Sequence, residues 1–128
     1  MNASMVMYVA LGGALGAVGR YGVMSAMTSF AGIGFPYGTL TVNIVGSFIL
    51  GAFIEVSALA WSPSPELRTM IVIGILGAFT TFSTFSLDVV TMMTHGETGA
   101  ALIYVATSVL LSIGALWAGM AITKVLLT

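Results

Sequence analysis

The chain has 128 residues, 59% of them hydrophobic and 5% charged, with a net charge of −1 and a mean hydropathy of +1.13. A soluble domain of this size has too much surface for its volume to cover so many apolar side chains, so the bilayer is the solvent. Scarcity of Lys and Arg excludes a nucleic-acid binder, and the absence of Cys excludes disulfides, thiolate metal sites and cysteine nucleophiles.

In chain order, the first predicted span runs from about Met5 to Ser29. It lacks the basic start of a signal peptide and stays apolar well past a normal h-region, so it reads as a retained span. Gly12, Gly13, Gly16 and Gly19 lie within it, and Gly12-xxx-Gly16 is a small-xxx-small packing match. Gly32, Gly34 and Pro36 separate it from a second span at about Thr39 to Ala60, which carries Gly46 and Gly51. On this second span Thr39, Asn43 and Ser47 recur four apart and share one helical face.

The cluster Ser62-Pro63-Ser64-Pro65-Glu66 starts a third span that extends to about His95. Roughly 29 residues of unbroken helix would rise about 43 Å, well beyond a hydrocarbon core of about 30 Å, so a break or a strong tilt is expected. The break falls at about Gly77 to Ser83, where Gly77-Ala78-Phe79-Thr80-Thr81-Phe82-Ser83-Thr84-Phe85-Ser86 interrupts the apolar run. Irregular backbone at membrane depth survives only where it is buried in protein or lines a cavity, and such breaks mark ion and substrate sites. Phe82 and Phe85 stand three apart among Thr81, Ser83, Thr84 and Ser86, an odd neighbourhood for lipid-facing rings. After His95-Gly96-Glu97-Thr98-Gly99 a fourth span covers about Ala100 to Leu127, with Tyr104, Ser108 and Ser112 again four apart.

The predicted fold class is therefore an all-α membrane protein of four transmembrane helices in one domain, residues 1–128, with the third helix broken. Taken singly, each Ser or Thr reads as interhelical glue worth about 0.6 kcal/mol. Asn43 is different, because a primary amide in hydrocarbon is costly and has two donors to satisfy. Charge placement is nearly balanced: Arg68 and Lys124 fall on one side, Arg20 and the titratable His95 on the other. A single orientation set by the basic residues and insertion in both orientations are equally compatible with that balance. Four short helices leave little room for a path, so transport implies oligomerisation. Arg20 either snorkels to the interface or gathers anions.

These residues resemble the Fluc (CrcB) family of small bacterial fluoride channels. The likeness rests on Phe35-Pro36-Tyr37-Gly38-Thr39-Leu40-Thr41-Val42-Asn43-Ile44-Val45-Gly46, on Gly77 to Ser86, and on Gly16-Ala17-Val18-Gly19-Arg20, and it covers essentially the whole chain. It implies an antiparallel dual-topology homodimer in the bacterial inner membrane, with two fluoride pores and a central structural sodium ion, that exports fluoride passively and protects against its toxicity. By motif match, Phe82, Phe85 and Asn43 line the pore, Tyr104, Ser108 and Ser112 form a polar track, and Thr39, Ser83 and Thr84 join the pore. Arg20 matches a vestibule arginine, and the backbone carbonyls of Gly77 and Thr80 match the sodium ligands. Ala78 replaces a frequent second Gly, and Asp88 a frequent Glu.

Two other readings are open on the residues alone. A proton-coupled exporter of the small multidrug type also has four spans, but it needs a carboxylate deep in the first span, and this chain has none there. An assembly subunit would use the glycines and leave the Phe and hydroxyl series without a role. No nucleophile-base-acid set, phosphate loop or metal-ligand cluster suggests an enzyme.

Overall fold

The computed structural model describes all residues, Met1–Thr128. Five helices make four membrane-length spans: α1 (Ala3–Ala31), α2 (Tyr37–Leu59), α3 (residues 65–79), α4 (Phe82–Thr94) and α5 (Thr98–Leu127), with α3 and α4 together forming the third span, Pro65–Thr94. The protein is a multi-pass membrane protein. Only 15 of its 128 residues are buried, and most of the large apolar side chains stand on the outside, as a bilayer solvent requires.

Local chemistry accounts for several helix ends. Asn2 opens α1 by accepting from the Met5 amide at 2.8 Å, and Ser64 opens α3 by accepting from Leu67 at 3.2 Å, with Pro65 at the first helical position. Gly32 ends α1 with φ 81°, in the left-handed region that side chains disfavour. The elements begin and end within two or three residues of the positions the sequence predicts.

The third span is more irregular than a single kink. After one α-helical turn, Met70–Leu76 winds as a π-helix, and the Gly77 amide donates to both Val72 and Gly74 carbonyls. Short α-helical geometry resumes at Gly77–Phe79 and then stops. Thr80 (φ −88°, ψ 157°) and Thr81 (φ −153°, ψ 114°) are extended, so the break occupies two residues inside the expected Gly77 to Ser83 window.

Two close crossings hold the bundle. On α1, a Cβ at Gly12 or Gly16 would run into the backbone of Met70 or Ile75, and Gly74 faces Gly12 from the other side. On α2, Gly51 abuts the Leu116 backbone of α5, while Gly119 of α5 abuts Phe48. Small residues let the helix backbones touch where lipid supplies no hydrophobic drive between helices. Gly13, four residues before Ala17 on the same span, meets nothing within 4 Å.

Candidate functional site

The break is held by side chains from two other helices. Asn43 of α2 lies opposite Thr81: its Oδ1 accepts from the Thr81 amide at 2.8 Å, and its Nδ2 donates to the Thr81 carbonyl at 3.1 Å. Arg20 of α1 donates through Nε to the Ala78 carbonyl at 3.0 Å, placing a cation at the C-terminal end of α3, where the helix dipole favours it. The side chain therefore turns into the protein and not along the helix to the interface. Thr81 then caps α4, its Oγ1 accepting from the Thr84 amide at 3.1 Å and lying 3.3 Å from Ser83 Oγ.

Beside the break, α2, the third span and α5 enclose a groove of about 380 Å³. Its polar wall is made of Asn43 and Ser47 from α2, Thr80 and Thr81 from the break, and Ser108 and Ser112 from α5; Phe82 and Phe85 also line it, and no charged residue does. Phe82 and Phe85 have ring centroids 5.4 Å apart at 51°. They differ in cover, since Phe85 is 8% exposed and Phe82 78%.

Ser108 and Ser112 are the informative pair. Both hydroxyls are buried and neither has a hydrogen-bond partner. A serine in a membrane helix ordinarily bonds the carbonyl one turn back, as the neighbouring Thr107 does with Ile103 at 2.8 Å. An unsatisfied buried hydroxyl costs about 1–3 kcal/mol, so two of them on one face of one helix, in residues that line one groove, are groups that an acceptor reaching that face would stabilise.

Tyr104 sits one turn before Ser108 and is fully buried. Its ring stands 5.1 Å from Phe85 on one side and 5.4 Å from Phe35 on the other, the latter edge-on at 83°, and its hydroxyl donates to Asp88 Oδ2 at 2.8 Å. A second cavity of about 480 Å³ lies beyond it, lined among others by Phe35, Thr39, Asp88, His95 and Glu97. Tyr104, expected with the groove residues, lines neither cavity; its ring packs between Phe85 of the first and Phe35 of the second.

The structure brings Asn43, Ser47, Phe82, Phe85, Ser108 and Ser112 into one groove together with Gly77 and Thr80. Thr39, expected with them, lines the second cavity, and Arg20 lines neither. Ser83 and Thr84 also lie outside the groove lining. Sequence reasoning missed the bonds from Asn43 to Thr81, from Arg20 to Ala78 and from Tyr104 to Asp88. For the last the signal was present: a carboxylate in an apolar run needs a partner, and Tyr104 was the nearest donor on the facing span.

Turning the Thr81 amide to Asn43 has an effect on the carbonyl it would otherwise meet. In a continued helix that amide donates to the Gly77 carbonyl; here it does not, although Thr80 still donates to Leu76 at 3.0 Å. No group of three carboxylate, His or Cys side chains gathers anywhere in the chain. A cation at the break would be met by backbone oxygens, which suit a hard ion.

The sequence of residues 7–120 matches the family described as CrcB-like protein, Camphor Resistance (CrcB). The chain belongs to the CrcB family. It is 48% identical over 120 residues to the fluoride-specific ion channel FluC of Rhodospirillum centenum, covering 94% of this chain and 95% of that one. It is 45% identical over 127 residues to the protein of the same name from Hahella chejuensis, covering 99% and 100%. A third CrcB relative, the FluC of Rhizobium etli, is 48% identical over 118 residues, covering 92% of this chain and 94% of its own.

Proposed function

We propose that this chain is the subunit of a fluoride-selective channel of the bacterial inner membrane, which lets fluoride leave the cell passively and so limits its toxicity. The observation that carries the reading is the pair of partnerless hydroxyls of Ser108 and Ser112, two residues lining a groove that also holds Asn43, Phe82 and Phe85. Fluoride is small and tightly hydrated, so a pore must replace its water with several donors without a fixed cation that would hold it too strongly. Two hydroxyls, one amide hydrogen of Asn43 still free after its bond to Thr81, and the positive edges of two rings answer that demand. Names of the relatives supply fluoride as the ion. The groove has no carboxylate for proton coupling, which favours passive conduction over exchange.

The conducting unit in this reading is an antiparallel homodimer with two pores. Support comes from the open side of the groove and from Phe82, a pore ring 78% exposed in a single chain, which a second copy would cover. The nearly even distribution of basic residues allows both orientations. The carbonyls of Gly77 and Thr80 from both copies would hold a sodium ion between them, as a structural element outside the path of the anion.

The test is efflux from liposomes under a potassium gradient with valinomycin, read by fluoride- and chloride-selective electrodes. Fluoride efflux without chloride efflux is expected. No fluoride flux from well-reconstituted dimers would overturn the reading. Phe82→Ile and Phe85→Ile are each expected to cut the flux strongly with the dimer intact, and normal flux in both would remove the rings from the mechanism.

A further inference from the structure

Asn43 uses both ends of its side-chain amide on one backbone residue. A residue that served only as an anion donor would need its N–H groups and leave Oδ1 idle, yet Oδ1 makes the shorter of the two contacts, 2.8 Å against 3.1 Å. The arrangement is the pairing a neighbouring strand gives to an extended residue, delivered by a side chain from α2. It acts at the point where the helical ladder of the third span stops. Thr80 still donates to Leu76, and Thr81, the next amide in line, goes to Asn43 in place of Gly77.

The approach of α2 that permits this is itself built in. Gly46, three residues along from Asn43, faces Thr80 so closely that any Cβ would collide with the Thr80 methyl group. Arg20 restrains the other side of the break, but it takes the Ala78 carbonyl and so leaves the ladder amide untouched. Of the two, only Asn43 takes up a ladder amide; Arg20 bonds a ladder acceptor, the carbonyl that Phe82 would meet in a continued helix.

We propose that Asn43 is the positioning residue that keeps the third span broken, holding the Thr81 amide away from the Gly77 carbonyl and leaving that carbonyl open to a cation. The part concerning the cation rests on the proposed function above. One Nδ2 hydrogen stays free, so the same side chain can orient the break and face the anion. In this arrangement the pore and the cation site share one amide, and a change at position 43 reaches both.

The experiment uses the full chain in detergent, wild type and Asn43→Leu, with Ser112→Ala as a pore substitution outside the clamp. Thermal stability is titrated with sodium against a bulky organic cation, and amide exchange at Thr81 is followed at residue resolution by NMR. Asn43→Leu is expected to raise the sodium concentration for half-stabilisation by about tenfold or more, the loss of one to two hydrogen bonds. Ser112→Ala is expected to leave that concentration within about twofold of wild type. Exchange at Thr81 should change by about tenfold in Asn43→Leu, faster if the amide opens to water or slower if it closes on Gly77, with the α4 interior unaffected. An unchanged sodium response together with unchanged Thr81 exchange would overturn the proposal and leave Asn43 a pore donor alone. If the wild type ignores sodium, the cation reading fails by itself, and exchange at Thr81 decides the clamp: altered upholds it, unaltered refutes it. Asn43→Ala removes the same groups without adding bulk and carries the same expectations should Asn43→Leu not assemble.

Discussion

The two halves of the third span meet their neighbours by opposite means. Before the break, α3 lies backbone to backbone on α1 at Gly12, Gly16 and Gly74, and side chains enter only at its end, where Phe79 meets Gly19 and Arg20 bonds the Ala78 carbonyl. After it, α4 faces α5 through rings and polar groups: Phe85 against Tyr104, and Asp88 bonded to the Tyr104 hydroxyl. Backbone contact fixes a position and leaves no chemistry behind. Side-chain contact leaves groups over, among them the Ser108 and Ser112 hydroxyls and the exposed face of Phe82. The first half is mainly scaffold, giving the groove only Val72, Leu76 and Gly77, and the second carries the rings of the site, the two joined by extended threonines.

The largest effect expected from this division is at the scaffold. Gly16→Val forces a branched side chain into the Ile75 carbonyl, and a loss of about 3 kcal/mol or failure to assemble is expected in thermal unfolding and size-exclusion chromatography. Gly13→Ala, three residues away in open space, should be neutral or stabilise by up to about 1 kcal/mol. Equal effects at both positions would erase the contrast.

On the site half, Tyr104→Phe removes the donor to Asp88 and should destabilise by about 1–3 kcal/mol, measured by the same unfolding assay. Ser108→Ala sharpens the comparison further, because stability and function should move apart. With no partner to lose, its stability should hold or rise by about 1 kcal/mol while fluoride efflux falls. A destabilised Ser108→Ala protein would mean that the hydroxyl is bonded and serves packing. The smallest effect belongs to Thr107→Ala: its hydroxyl already bonds the Ile103 and Tyr104 carbonyls, and changes within about 0.5 kcal/mol and unaltered efflux are expected.

Much of this organisation was legible in the residues, for reasons that can be named. The Thr80-Thr81 break could be anticipated because a hydroxyl-rich stretch cannot lie irregularly in lipid without lining something. Asn43 stood out by the cost of an amide in hydrocarbon, though its partner was not readable, since nothing local links position 43 to position 81. The face shared by Thr39, Asn43 and Ser47 meets two cavities. Thr39 and Ser47 are about 12 Å apart along the helix, and the groove ends before it reaches Thr39.

By itself, the sequence determined a four-span membrane protein with a broken third span, because hydropathy, turn residues and helix caps act over a few residues at a time. Only the tertiary structure decided which glycines are crossings, which hydroxyls are left without partners, and that Asn43 and Arg20 hold the break from two sides. Those outcomes depend on where helices distant in sequence cross, and a shift of one helical turn at Gly12 or Gly51 would reassign them all.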